Sequence, residues 1–300
     1  MFLIFILYFL YASIFIIGKF AIQISQPIFL TGMRMVSAGI ISYILHILLY
    51  RNKPQFSLLN RLDWIVIVLL SFFNVYVTNA GEFWSLQYLS AGKTSFIYNL
   101  SPFFVLLFSS VLFSERITLK KTIGMVIGFV SLLPMLINNP EIIDTTYHIG
   151  WLSVAEIVML CSAAATALGW VLMKHFIHKT LYSPYFLNGI SMFIGGCLSL
   201  LHAFCFEQKP LILTDNAYDF LYYMLLMMFI QNVIAYNLHA YLLRYYSATL
   251  IALVSFVMPL MTLALSNALL AESVTYMFFI CSAGVAIGLI IFYQDELKII

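Results

Sequence analysis

The chain has 300 residues, of which 63% are hydrophobic and only 9% charged, with a formal net charge of +2 and a mean hydropathy of +1.02. A water-soluble domain carries roughly a quarter charged residues, so this composition excludes a surface that faces water and leaves lipid as the solvent. In lipid every backbone polar group must be satisfied within the fold, which admits only helices or closed barrels; apolar runs of about twenty residues without strand-like alternation select helices.

Ten candidate spans follow, at residues 2–22, 27–50, 64–86, 90–113, 119–138, 150–173, 184–206, 218–241, 247–270 and 274–293. The first lacks a basic leading segment and a small-residue cleavage site, so it reads as a retained helix rather than a signal peptide. Lys19 ends it, and Arg34 stands about two turns into the second. The third carries Asn74, Thr78 and Glu82 at a spacing of four, which shares one helix face, with Asn79 beside them. In the fourth, Pro102 falls mid-helix and frees the carbonyl of Tyr98, with Asn99 between them. Gly124 and Gly128 in the fifth, Ser162 to Ala165 in the sixth, and Gly284 and Gly288 in the tenth read as close-packing motifs. The sixth also holds Glu156 near its start. The eighth repeats the polar stripe with Asn232, Tyr236 and His239, and in the ninth Pro259 frees the carbonyl of Ser255. Cys161, Cys197, Cys205 and Cys281 all sit in apolar spans without metal-ligand spacing, and read as buried small hydrophobes.

Orientation follows from Lys and Arg. With the N-terminus in the cytoplasm, Arg51, Lys53, Arg61, Arg116, Lys120, Lys121, Lys174, Lys179, Arg244 and Lys298 fall inside, against Lys93 and Lys209 outside. Glu141, Asp144, Glu207, Asp215 and Asp219 fall in outer loops. The expectation is a multi-pass protein of the cell (inner) membrane with both termini cytoplasmic.

A shift of 157 residues superimposes the chain on itself. Pro27, Gly32, Met35 and Gly39 fall on Pro184, Gly189, Met192 and Gly196; Tyr88 and Ser90 fall on Tyr245 and Ser247; Pro102 and Glu115 fall on Pro259 and Glu272. Apolar bias does not produce matched Pro, Gly, Glu and Tyr in one register. The expected fold is therefore all-α, a polytopic membrane protein of ten transmembrane helices arranged as a 5+5 inverted repeat, with halves at 1–140 and 150–295. Five spans per half place the halves in opposite orientations, an arrangement common in secondary transporters, with substrate near the midplane between them.

Trp84-Ser85-Leu86-Gln87-Tyr88-Leu89-Ser90-Ala91, running to Ser101-Pro102 and Ser114-Glu115-Arg116, together with Tyr245-Tyr246-Ser247-Ala248, Met258-Pro259 and Ala271-Glu272, resembles the EamA-type drug/metabolite transporter superfamily. Arg34 also matches that pattern. The resemblance covers nearly the whole chain and implies ten helices, the inverted repeat and transport of small metabolites. Asn79-Ala80-Gly81-Glu82-Phe83-Trp84 and Ser95-Phe96-Ile97-Tyr98-Asn99-Leu100-Ser101-Pro102 most resemble S-adenosylmethionine/S-adenosylhomocysteine carriers of intracellular bacteria.

The expected function is secondary transport by alternating access, S-adenosylmethionine uptake or its antiport with S-adenosylhomocysteine. The alternative is an amino-acid or other cationic or aromatic metabolite exporter of the same superfamily, and a membrane enzyme or receptor is a remote one. Charges at bilayer depth are costly and mark function by default. Expected substrate-binding residues are Glu82, Asn79, Thr78, Trp84, Tyr98, Asn99, Arg34, Asn232, Tyr236 and His239, with Pro102 and Pro259 as hinges. Glu82 would meet a sulfonium or ammonium, Arg34 would grip a carboxylate bidentately, and Trp84, Tyr98, Trp170 or Tyr236 would stack on a ring. The other reading of the polar stripes is interhelical hydrogen bonding alone. The chain carries no nucleotide-hydrolysis motif, catalytic constellation, metal site or cofactor motif, and no nucleic-acid partner is implied. Its partners are the small-molecule substrate and the lipid bilayer, and its state is monomer or homodimer.

Overall fold

The computed structural model describes residues 2–50, 59–113, 118–131, 148–149, 152–179, 183–214, 217–270 and 276–296. Outside them lie residues 132–138 of the fifth candidate span, the loop charges Arg51, Lys53, Arg116, Glu141, Asp144, Asp215 and Lys298, and the motif residues Ser114, Glu115, Ala271 and Glu272.

Eight helices are long and apolar enough to cross a membrane. These are α1 (Phe2–Ala21), α2 (Pro27–Leu49), α3 (Arg61–Leu86), α4 (Ala91–Phe113), α6 (Val154–Lys179), α7 (Pro184–Phe206), α8 (Ala217–Leu242) and α9 (Ala248–Leu269). Two more, α5 (Leu119–Val130) and α10 (Tyr276–Glu296), pack on each other. A Cβ at Gly124 would meet the Gly288 carbonyl at 2.7 Å, and one at Gly288 would meet Gly128 N at 2.8 Å, so these glycines let the two backbones touch.

Helix starts follow local chemistry. Asn60 and Asp63 form a reciprocal capping box on α3. Pro27 and Pro184 open α2 and α7, where their missing N–H costs nothing. Ser90 and Ser247 cap α4 and α9. Glu207, just past α7, accepts the Ile28 and Phe29 N–H groups at 2.7 and 2.8 Å, satisfying orphan donors at the start of α2.

Burial is inverted relative to a soluble protein. Ile40, Ile44, Leu48, Val68, Phe72 and Val111 are exposed on the rim, while Arg34, Asn74, Thr78, Asn79 and Glu82 are buried. Lipid rewards the first arrangement, and the second demands internal partners. α2 lies against α7, and glycines set the closeness: a Cβ at Gly39 would meet Phe193 N at 2.7 Å, and one at Gly196 would meet Val36 N at 2.7 Å.

Helix neighbours recur in pairs. α1 packs on α9 as α6 packs on α4, and α3 packs on α6 as α8 packs on α1. α2 contacts α8 as α7 contacts α3.

Four features depart from the sequence expectation. α3 and α8 are not continuous α-helices: each holds a π segment, Ser71–Val77 and Met228–Ala235. Thr78 Oγ1 and Asn79 Nδ2 fill the widened turn, donating to Phe73 O at 2.8 Å and Val75 O at 2.9 Å. The extra residue brings Asn79 over Asn74, so the stripe is not a simple spacing of four. Second, the fourth and ninth spans are interrupted where the prolines free carbonyls. α4 breaks between Tyr98 and Ser101, and α9 passes through a 3-10 turn at Ser255–Val257, so Pro102 and Pro259 each sit in the first turn of a fresh helical segment. Third, Cys161, Cys197 and Cys205 are exposed and only Cys281 is buried, correcting the expectation of four buried thiols; a thiol is a small hydrophobe that lipid accepts as readily as a core does. Fourth, α6 begins at Val154 rather than near 150, preceded by a two-strand pair, β1 (His148–Ile149) and β2 (Leu152–Ser153), where extended chain ends satisfy each other.

Candidate functional site

The interior of the bundle is built from aromatic and small side chains on five helices. Tyr8 and Tyr11 come from α1, Tyr98, Ser101 and Val105 from the α4 break, Thr166 and Trp170 from α6, His239 from α8, and Ala248 and Ala252 from α9; together they enclose a cavity. Spacings of three or four put each set on one helix face. The free volume is about 20 Å³, room for about one water molecule, so the bundle is closed around its centre. A larger space of about 370 Å³ between α2, α3 and α7 is lined by Ile40, Trp64 and Phe193 and carries no charge; it is a lipid-facing groove.

The cavity wall is held by a chain of ring and hydroxyl contacts. His239 stacks on Trp170 with centroids 3.7 Å apart and planes at 19°. Its Nδ1 is 3.3 Å from the Tyr11 hydroxyl. Tyr236 packs against both Trp170 and Tyr11, and Tyr8 donates to Ile251 O at 2.8 Å. Thr166 donates to Thr78 Oγ1 at 2.9 Å, tying α6 to α3.

Glu82 is 4% exposed. Its charge lies within Coulombic reach of Tyr11, Tyr98, Tyr236 and Arg34. No ion pair within 4.0 Å joins it to Arg34, and it has no hydrogen-bond partner among the described residues. A carboxylate in such a place needs a positive charge or a proton from elsewhere.

Arg34 is fully buried and committed to the protein. Nη1 donates to Gln231 Oε1 and Nη2 to Asn79 Oδ1 at 3.0 Å, while the guanidinium lies 4.2 Å over the Phe83 ring. Only Nε is without a partner. The bidentate grip on a substrate carboxylate expected from sequence is therefore not presented by this arrangement. Asn79 joins the two ends of the network, donating to the Tyr236 hydroxyl at 2.9 Å.

The remaining expected residues divide. Tyr98 and His239 line the cavity, and Tyr236 and Thr78 stand directly behind it. Asn99 accepts the Ser255 hydroxyl at 3.0 Å, joining the α4 break to the α9 turn. Asn232 is buried against Met35 Sδ, with Oδ1 unpartnered. Trp84 packs on Tyr88, 4.9 Å between centroids, away from the cavity. Lys19 donates to Leu86 O and Leu89 O, outside the cavity lining. Glu156 pairs with Lys93 at 2.8 Å and caps its own helix through Ser153. Sequence reasoning missed Tyr8, Tyr11 and Thr166. Their signal was weak: Tyr8 and Tyr11 sit in an apolar helix where aromatics are common, and only the three-residue spacing hinted at a shared face.

Comparison with known proteins agrees with this architecture. The model of the EamA-like transporter family matches residues 1–137 and 153–294. The chain is 33% identical over 299 residues to an S-adenosylmethionine/S-adenosylhomocysteine transporter of Chlamydia muridarum, covering 99% of this chain and 92% of that one. It is 32% identical, with 99% and 90% coverage, to the transporter of the same description in Chlamydia trachomatis serovar D. A solved crystal structure at 15% identity superimposes with a TM-score of 0.74 over 97% of this chain and 96% of its own, which shows the shared fold. A helical bundle that turns its polar groups inward, matched by the family model along almost its whole length, leaves one assignment: the chain belongs to the EamA-like transporter family and is a membrane-embedded small-molecule transporter.

Proposed function

We propose that the chain carries S-adenosylmethionine, exchanging it for S-adenosylhomocysteine by alternating access. The observation that carries this reading is a buried carboxylate, Glu82, one turn from the Thr78 that is bonded to the cavity wall, behind an aromatic enclosure of Tyr11, Tyr98, Trp170 and His239 backed by Tyr236. S-adenosylmethionine has a sulfonium and an ammonium for the carboxylate and the ring faces, and a purine for the stack; each cation–ring contact contributes about 0.5–2 kcal/mol. The names of the Chlamydia relatives support it. Arg34 orders Asn79 and Gln231 rather than touching substrate. An amino-acid or other cationic or aromatic metabolite exporter would use the same groups, and is the second reading.

The architecture we propose is ten transmembrane helices in a 5+5 inverted repeat, with halves at 1–140 and 150–295, in the inner membrane with both termini cytoplasmic. Support comes from the π segments, serine caps and helix breaks, which all recur 157 residues apart. The Lys93–Glu156 pair adds an independent argument. With the starts of α4 and α6 in contact, a further crossing between them, through α5, is what the ten-helix reading calls for.

The test is reconstitution. Liposomes loaded with S-adenosylhomocysteine should take up labelled S-adenosylmethionine faster than empty ones, and an amino-acid panel should compete weakly. Uptake of an amino acid with none of S-adenosylmethionine would favour the second reading. Reporter fusions after residues 56 and 178 should read cytoplasmic, and near 145 and 212 external.

A further inference from the structure

We propose that Lys19 and Lys174 are the paired gate residues of transport, each holding one membrane face of the central cavity closed, and that the cycle releases them in alternation. The inference rests on the transporter assignment and not on the substrate.

The two lysines make the same contact at two places. Lys19 Nζ donates to Leu86 O at 2.7 Å and Leu89 O at 2.5 Å. Lys174 Nζ donates to Leu243 O at 2.5 Å and Tyr246 O at 2.6 Å. Leu243 and Tyr246 lie 157 residues beyond Leu86 and Leu89, the interval that relates the π segments. The acceptors are carbonyls at and just beyond the ends of α3 and α8, where the helix has no partner for them. An ammonium there also meets the negative end of the helix dipole.

The lysines lie on opposite faces of the membrane. Lys19 is at the end of α1, so it and the end of α3 share the face reached after an odd number of crossings. Gln26 N donates to Leu211 O at 2.9 Å, putting the end of α7 on that face too. The Lys93–Glu156 pair puts the start of α6 there as well. The far end of α6, with Lys174, and the end of α8 therefore lie on the other face.

Three of the helices so joined line the cavity and the fourth backs it. α1 brings Tyr8 and Tyr11, α6 brings Thr166 and Trp170, and α8 brings His239, while α3 stands behind the wall, its Thr78 accepting the Thr166 hydroxyl at 2.9 Å. Parting α1 from α3 opens the cavity to one face and requires Lys19 to leave its carbonyls. Parting α6 from α8 opens the other and requires Lys174 to do so. In the structure both contacts are made and the free volume holds about one water molecule.

The experiment is accessibility in the full chain. The four native cysteines are replaced by serine and Ala252→Cys places one reporter thiol in the cavity. A membrane-impermeant maleimide is applied to right-side-out and to inverted vesicles. Lys19→Met should raise labelling from the Lys19 face and lower it from the other, changing the ratio by about tenfold, which is 1.4 kcal/mol. Lys174→Met should change it by as much in the opposite sense. Lys→Arg at either position, which keeps a donor, should leave the wild-type ratio, and the double Met variant should return towards it. Changes in the same direction from both Met variants, or none, would overturn the proposal. A second measurement uses unaltered protein, so poor folding of a variant cannot blunt the test. An impermeant amine reagent, read by mass spectrometry under inward and outward substrate gradients, should modify the two lysines reciprocally; parallel modification overturns the gate.

Discussion

Asn79 and Tyr236 touch each other although 157 residues separate them: the Asn79 amide donates to the Tyr236 hydroxyl at 2.9 Å. The same interval separates the two π segments and the two serine caps. A residue meets its own counterpart only close to the axis that relates them, so the pair favours the paired-halves arrangement proposed above. The network continues on both sides, from Arg34 into Asn79 and from Tyr236 into Asn74 O at 3.3 Å.

The first prediction concerns that pair. Tyr236→Phe leaves Asn79 Nδ2 its bond to Val75 O, so stability should fall by only about 0.6 kcal/mol, the average for interhelical hydrogen bonds in membranes. Asn79→Ala also strips a partner from the buried Arg34 guanidinium and should cost about 1–3 kcal/mol. Thermal unfolding in detergent of both single variants and the double gives the coupling. Strictly additive losses would show that the contact carries no energy.

The second concerns the α2–α7 crossing. At Gly39 a Cβ would strike backbone, Phe193 N at 2.7 Å and Gly189 O at 2.8 Å. At Gly18 it would strike the tip of the Phe83 ring at 2.8 Å, and a side chain can turn away. Gly39→Ala should therefore destabilise by about 1–3 kcal/mol, as overpacking does, and Gly18→Ala by less. Equal unfolding temperatures for the two would contradict the packing argument.

What sequence revealed here and what it hid have separate physical causes. Long apolar runs depend on single segments, so the eight membrane-length helices lie within a few residues of spans read from sequence. The 157-residue register was legible because Pro and Gly cannot match by apolar bias. The π segments were hidden because Ser71–Val77 and Met228–Ala235 have the composition of ordinary apolar helix; the widened turn is visible only in the bonds Thr78 and Asn79 send back. The role of Arg34 was hidden because its partner Gln231 lies 197 residues away and no local pattern links them. Trp84 packs on Tyr88 rather than lining the cavity, a distinction that needs the rotation of α3.

The third prediction tests the helix breaks. Asn99 and Ser255 bind the α4 break to the α9 turn at 3.0 Å, so a change of angle in one is transmitted to the other. Pro102→Ala or Pro259→Ala restores an N–H and lets the helix heal across the break. Insertion should be normal, and transport should slow by about tenfold, 1.4 kcal/mol, with the larger effect in the double variant. Wild-type exchange rates in the double variant would make the breaks static features of the fold.

The last prediction separates binding from balance at Glu82. Two roles fit its position: it meets a substrate cation, or it only neutralises Arg34, whose charge it feels without an ion pair. S-adenosylmethionine carries a sulfonium that S-adenosylhomocysteine lacks, and the two are otherwise alike apart from one methyl group. Glu82→Gln keeps shape and removes charge. If the carboxylate meets the sulfonium, affinity for S-adenosylmethionine should fall about a hundredfold, 2.8 kcal/mol, while that for S-adenosylhomocysteine should fall far less, through the shared ammonium alone. The ratio of the two affinities, read by competition against one labelled ligand, is then the measurement. If Glu82 only balances Arg34, the variant leaves a buried guanidinium uncompensated. Stability should then drop by about 3–5 kcal/mol, and both ligands should weaken together. An unchanged ratio in folded protein would remove Glu82 from sulfonium recognition, and the charge preference would have to come from the ring faces of Tyr11, Tyr98 and Trp170.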